Sequence, residues 1–394
     1  MKRNSSKHTI LVVANSTWNI YNFRLNLVKY LCEHDISVIV AAPVDQYIRY
    51  LYIHPNVSHV PVRHLRRDST GLFSNLRLLH ELWVIYKEVK PDLIIQYTIK
   101  PNIFGSMAAR SLGIPCMSVI TGLGYTFMEN DLLNKVVRQL YRIALKKNAA
   151  VVFENPDDQQ LFLKKNIISP AQGTVVNGCG IDTQYFQPVP GTRNDHTFTF
   201  TFIGRLLYDK GILEFVEAAT LLKKRGFHVV CWVVGDADVG NPSSVHKRDL
   251  LKWVKSRTII YKGETRRIKS VLSKTDCLVL PSYREGLPKS ILEAMSMEVP
   301  VITTDVPGCR QAVIHGENGF LVPVKNAEAL ATAMETMVEL TEPERQRMGK
   351  QARRRANERY TDEVVVGQYG KLINQTIPVL DDQVLQEASK CSVL

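Results

Sequence analysis

From Thr9 onward, short apolar runs alternate with longer stretches of helical periodicity, and this alternation points the chain to α/β folds with parallel sheets. Strands are expected near 9–14, 36–42, 92–97, 115–120 and 149–153, with helices near 20–33, 74–90, 101–112, 131–147 and 157–166. The run Gln187-Pro-Val-Pro-Gly191 and the polar residues through His196 then read as a hinge. A second series follows, with strands near 197–203, 228–234, 258–262, 277–281 and 299–303. The fold class expected is therefore α/β, with two doubly wound domains. The 394 residues, 45% of them apolar, suffice for two cores. No internal sequence repeat or low-complexity tract interrupts the pattern.

In such sheets ligands bind beyond the carboxyl ends of the strands, and charged residues concentrate just there. After the strand-like Thr197–Ile203 come Gly204, Arg205, Lys210 and Gly211, followed by Ile212, Phe215, Val216, Ala219 and Leu222 at helical spacing. Two cations thus stand at a strand-to-helix turn, able to hold an anion through charge-assisted bonds worth on the order of 1.5–3 kcal/mol each. After the apolar run Cys277–Leu280 comes Pro281-Ser-Tyr-Arg-Glu285-Gly-Leu-Pro288-Lys-Ser-Ile-Leu-Glu293. Gly286 permits a tight turn and Pro288 suits the first helical position, which places Glu285 before a helix and Glu293 inside it. The free amides at that helix start can hold anionic oxygen, while an ionised Glu293 can accept from two vicinal hydroxyls. Taken singly, each of these residues is an ordinary surface charge. Together they describe a grip for a nucleotide sugar.

Both clusters, in this order and spacing, resemble the retaining glycosyltransferases of family 4, and the resemblance covers nearly the whole chain. Tyr21-Asn-Phe-Arg24, Lys100-Pro-Asn-Ile-Phe-Gly105, Thr121-Gly-Leu-Gly-Tyr-Thr-Phe127 and Phe153-Glu-Asn-Pro-Asp-Asp158 resemble its bacterial capsule, O-antigen and lipid-linked oligosaccharide subgroup. The resemblance implies two Rossmann-like domains facing a cleft, the GT-B arrangement. Residues 1–185 would bind the acceptor, completed by a C-terminal helix about 361–394, and residues 186–360 would bind the donor. It implies that Arg205 and Lys210 hold the donor diphosphate, that Glu293 holds the ribose, and that Glu285 faces the donor sugar. Gly204, Gly286 and Leu287 would line the same donor site. Arg205, Lys210 and Glu285 are the expected catalytic group, the two cations stabilising the departing diphosphate with no metal or cofactor required.

The chain departs from the wider family in two places. The loop after the first strand reads Asn15-Ser-Thr-Trp18 where many members carry Gly-Gly, and Thr121-Gly122 stands at a turn where many carry a histidine near the donor sugar. Asn15, Thr17, Thr121 and Gly122 are accordingly expected on the acceptor side. The resemblance implies transfer from a UDP-sugar, an N-acetylated amino sugar being one candidate, to an undecaprenyl-diphosphate-linked saccharide with retention of configuration. Transfer to a soluble acceptor, nucleotide-sugar binding without transfer, and epimerisation are the alternatives.

Charge and cysteine usage fit that expectation. The net charge is +12, of which +8 precedes residue 191. Lys135, Arg138, Arg142 and Lys146 recur at helical spacing, and Arg63, Arg66 and Arg67 stand near Phe73 and Trp83, so either segment would be drawn to an anionic membrane surface if exposed. Neither carries a nucleic-acid-binding signature, so no nucleic-acid partner is expected. Seven scattered cysteines form no zinc-like pairs or disulfide framework, and no apolar run reaches the roughly 20 residues a membrane helix needs. The opening eight residues lead into a strand without a clear cleavage site. A cytoplasmic protein, peripheral at the inner face of the plasma membrane, is expected. Asp236-Ala-Asp238 reads as a turn rather than a metal-holding pair, the scattered histidines form no zinc motif, and no metal ligands are assigned.

Overall fold

The computed structural model describes residues 8–66, 71–123, 132–191, 197–238 and 240–380. It divides into two units, one comprising the chain to Gly180 and the segment from Asp362, the other Ile181–Thr361. The division falls a few residues ahead of the proline-rich run. Of the expected hinge, residues 192–196 lie outside the described residues, as do Arg67, Gly124–Phe127 and the tail from Asp381.

The first unit runs β1 (His8–Val13), α1 (Thr17–Phe23), α2 (Leu25–Glu33), β2 (Ile36–Ala42), β3 (Val57–Pro61), α3 (Leu72–Val89), β4 (Leu93–Tyr97), α4 (Ser106–Ser111), β5 (Cys116–Ile120), α5 (Leu132–Leu145), β6 (Ala150–Phe153), α6 (Pro156–Lys164) and β7 (Gly173–Val175). Its seven strands pair in parallel in the order β3-β2-β1-β4-β5-β6-β7. The second unit runs β8 (Phe198–Ile203), α7 (Ile212–Lys224), β9 (Val229–Val234), α8 (Lys247–Lys255), β10 (Ile260–Gly263), α9 (Ile268–Leu272), β11 (Cys277–Leu280), α10 (Lys289–Ser296), β12 (Val301–Thr304), α11 (Cys309–Ala312), β13 (Gly319–Val322), α12 (Ala327–Glu339) and α13 (Glu342–Arg359). Its six strands are also parallel, in the order β10-β9-β8-β11-β12-β13. The last helix, α14 (Asp362–Thr376), inserts Val365, Tyr369 and Ile373 into the core of the first unit.

Central strands such as β4, β5 and β11 are buried along their whole length and are mostly apolar, β11 without a break and β4 and β5 each with one buried polar residue, Gln96 and Ser118. Three strands were not anticipated: β3, β7 and β13. All three are sheet edges of five residues or fewer. With a partner on one side only, they carry no long apolar signature.

The single helix expected over 20–33 is two, broken at Arg24, whose φ of −128° and ψ of 1° are not helical. The side chain at the break is enclosed. Arg24 is buried, its Nη2 lies 3.0 Å from Glu154 Oε1 just past β6, and its guanidinium lies 4.3 Å from the centre of the Tyr97 ring. Burial opposes the charge on Arg24, but Glu154, Tyr97 and Tyr369 outweigh it and hold the guanidinium above its ordinary pKa.

Candidate functional site

In each sheet the strand order reverses next to the unit's first strand, between β1 and β4 and between β8 and β11. The two loops leaving such a switch point diverge and open a crevice at the carboxyl edge. In the second unit these are the loops after β8, carrying Gly204, Arg205 and Lys210, and after β11, carrying Glu285, Gly286 and Leu287.

The loops are stitched together by backbone. The carbonyl of Asp209 accepts from the amide of Tyr283 at 2.8 Å and from the hydroxyl of Ser282 at 3.2 Å. Gly211, at φ +73°, presses so closely on the carbonyl of Pro281 that any side chain there would collide with it. On the far side, Gly308 at φ +78° makes the same kind of approach to the carbonyl of Gly286, fixing the turn after Glu285. Strands β8 and β11 are paired directly, through Cys277 opposite Phe200 and Leu278 opposite Thr201, so both loops spring from adjacent strand ends.

This scaffold brings Lys210 and Glu285 into an ion pair, Lys210 Nζ donating to Glu285 Oε1. Both side chains are largely buried. Arg205 is about half exposed and pairs through Nη1 with Asp238 Oδ2 at 2.5 Å. Asp238 had been read only as part of a turn. It lies just past β9, and Leu206 donates to the carbonyl of its neighbour Asp236 at 2.9 Å, which holds the two loops in register. The backbone amide of Leu287 has no acceptor among the described residues and lies at the approach to α10. Pro288 caps that helix from outside rather than occupying its first turn, so α10 begins at Lys289. Tyr283, between Pro281 and Glu285 on the second loop, donates its hydroxyl to Glu214 at 2.6 Å and carries Lys325 over its ring.

Glu293 lies one turn inside α10. Its side chain is only partly hidden by area, yet the surroundings are dense enough that desolvation pushes the carboxyl up to about 7 against the pull of Lys289. The sign follows from the direction. A carboxyl that binds its proton more tightly when folded makes folding less favourable as pH rises from about 4.5 to about 7, and the full penalty stays in place above that. Glu293→Gln removes the penalty, so thermal unfolding at pH 8 should show a more stable protein, by on the order of 2 kcal/mol. A variant no more stable than the parent at pH 8 would contradict this.

The remaining candidates lie in the first unit. Asn15 follows β1 and is half-buried. Thr17 is buried at the start of α1 with its hydroxyl donating to Asp45. Thr121 and Gly122 follow β5, Gly122 at φ +111°. On and just past α5, Lys135 and Lys146 are exposed and Arg138 is half-buried. Arg142 is exposed but committed: it donates to the carbonyls of Lys165 at 2.7 Å and Asn166 at 3.1 Å, closing the end of α6.

Residues 186–355 match the family model of glycosyl transferases group 1, and residues 9–155 match that of glycosyl transferase 4-like proteins. The chain is 29% identical to the N,N'-diacetylbacillosaminyl-diphospho-undecaprenol alpha-1,3-N-acetylgalactosaminyltransferase of Campylobacter jejuni, with 91% of this chain and 96% of that protein aligned. It is 26% identical to the UDP-Gal:alpha-D-GlcNAc-diphosphoundecaprenol alpha-1,3-galactosyltransferase of Escherichia coli, over 68% of this chain and 71% of that one. Among solved structures, a glycosyltransferase from Rickettsia africae superposes with a TM-score of 0.77 at 19% identity, covering 94% of this chain and 99% of its own. HepE from Anabaena, solved in complex with UDP, superposes with a TM-score of 0.75 at 19% identity, covering 93% and 100%.

Proposed function

Because the chain belongs to glycosyltransferase family 4, we propose that it moves a sugar from a UDP-sugar to a saccharide carried on polyprenyl diphosphate, with retention of anomeric configuration, in the assembly of a bacterial surface glycan. The observation that carries this reading is the stitched pair of loops at the switch point of the second unit, which sets Lys210, on the same loop as Arg205, against Glu285 on the adjoining loop. As the bond to the anomeric carbon breaks, negative charge accumulates on the departing diphosphate. Arg205 and Lys210 stabilise it there through charge-assisted bonds that strengthen along the reaction. The diphosphate draws Lys210 away from Glu285, whose carboxylate then faces the donor sugar, and the amides of Gly286 and Leu287 take the distal phosphate oxygens. Gly204 lets the backbone come close to the phosphates. Glu293 accepts from the ribose hydroxyls, and the charged form accepts best, so UDP affinity should rise with pH through about 7. Glu293→Gln should lower that affinity about tenfold at pH 8 and flatten its pH dependence.

The first unit, with α14, is the acceptor side in this reading, through Asn15, Thr121 and Gly122; Thr17, expected there as well, is fully buried with its hydroxyl on Asp45 and serves to hold the loop instead. No helix among the described residues is long and apolar enough to cross a membrane. Contact with a lipid-borne acceptor is made at the inner face of the plasma membrane by the start of α3, where Leu72, Phe73 and Leu76 are 72%, 80% and 51% exposed and Arg63, Arg66 and Arg77 are exposed nearby in sequence. Lys135, Arg138 and Lys146 of the α5 region add to the attraction for anionic lipid, at about 1 kcal/mol per basic residue close to the surface. Phe73→Ser should reduce sedimentation with anionic vesicles by about tenfold, and sedimentation equal to the parent's would remove α3 from the contact.

The reading is tested by incubating the protein with a panel of UDP-sugars and polyprenyl-diphosphate-linked saccharides while following UDP release and product linkage. Acceptor-dependent UDP release with a retained linkage is expected. UDP binding without acceptor-dependent release would leave a nucleotide-sugar-binding protein, and conversion of the donor alone would make it an epimerase.

A further inference from the structure

We propose that Tyr21 and Tyr47 form a stacking subsite for a sugar ring of the acceptor, an assignment that rests on the transferase reading above. Tyr21 lies on α1 and Tyr47 on the loop after β2. Strands β1 and β2 are parallel neighbours, so both segments leave the sheet at its carboxyl edge, where open α/β sheets bind their ligands. The two rings pack with centroids 5.5 Å apart at a tilt of 49°, and Tyr21 is 41% exposed. Buried tyrosines elsewhere in this unit, such as Tyr50, Tyr86 and Tyr97, are fully enclosed. The Tyr21–Tyr47 pair thus offers aromatic surface that the core does not use.

The pair is held in place by one carboxylate. Asp45 accepts from the amide of Tyr47 at 2.8 Å, from the amide of Trp18 at 2.9 Å and from the hydroxyl of Thr17, tying the β2 loop to the first turn of α1. Ser16 caps the same turn by accepting from the amide of Asn19 at 3.1 Å. A platform fixed before the ligand arrives loses little entropy on binding. Its chemistry also selects among ligands. An aromatic face is electron-rich and suits the polarised C–H groups on one face of a pyranose, whereas a diphosphate seeks cations.

The test compares Tyr21→Ala, Tyr47→Ala, Tyr21→Phe and Tyr47→Phe in steady-state transfer, with lipid-linked and with water-soluble acceptors of the same saccharide. For the alanine variants the expected result is a rise in acceptor KM of about tenfold on both acceptors, with KM for the UDP-sugar and kcat at saturating acceptor unchanged. The phenylalanine variants should stay near the parent, because stacking needs the ring and not the hydroxyl. Unchanged acceptor KM in both alanine variants would overturn the subsite while leaving the transferase reading intact. So would an equal loss in the phenylalanine variants, which would indicate a hydroxyl bond, or a loss confined to the lipid-linked acceptor, which would indicate a membrane contact. Absence of acceptor-dependent turnover in the parent protein would overturn the transferase reading and the subsite with it.

Discussion

Replacing Arg205 with alanine should lower turnover by roughly 100-fold or more, with a smaller effect on the unfolding midpoint. The asymmetry follows from where the residue sits. Its side chain is about half exposed and its partner Asp238 is also reached by solvent, so the ion pair contributes little to folding. In the proposed reaction the charge would act when the diphosphate leaves, because a guanidinium already positioned at the strand end would stabilise the developing charge without reorganising. Arg205→Lys should recover only part of the activity, since an ammonium cannot offer the planar fork of donors. Single-turnover kinetics with saturating UDP-sugar and acceptor provide the measurement. An Arg205→Ala variant that turns over at the parent's rate would remove the residue from the leaving-group role.

The second large effect is on stability and lies in the other unit. Glu154→Ala leaves the Arg24 guanidinium buried with no counter-ion, its Nε and Nη1 already lacking hydrogen-bond partners. Removing one partner of a buried pair typically costs 3–5 kcal/mol. The Arg24→Met, Glu154→Leu double replacement should cost much less, because it removes both charges and keeps apolar volume over the Tyr97 ring. Thermal unfolding monitored in the first unit checks this. Glu154→Ala should melt well below the parent while the folded protein still binds UDP through the second unit. A melting temperature indistinguishable from the parent's would show that Arg24 is neutralised by some other group.

Part of this account could be read from the sequence, and the parts that could not share a cause. Central strands such as β1 and β11 announce themselves as apolar runs because they are buried on both faces, and β8 announces itself by its Phe/Thr alternation. The edges β3, β7 and β13 do not, being short and half-covered. The candidate cations and carboxylates could be singled out because they stand in the loops and helix that follow apolar runs, and strand ends are where such sheets bind ligands. What held them could not be. The Arg205–Asp238 pair joins residues 33 positions apart, Lys210 and Glu285 are 75 apart, and Arg24 and Glu154 are 130 apart. Side-chain pairing over such separations depends on strand order, which local periodicity does not encode. The helix break likewise falls at a residue, Arg24, whose side chain is committed to a partner 130 positions away.

The central claim is that one crevice at the β8/β11 switch point seizes the diphosphate and ribose of a UDP donor. Its most direct test is a crystal structure of the protein with UDP. The diphosphate is predicted against Arg205, Lys210 and the amides after Glu285, with the ribose hydroxyls on Glu293 and Lys210 turned from Glu285 toward phosphate. UDP bound elsewhere, or bound with the Lys210–Glu285 pair intact and Glu293 untouched, would contradict the account.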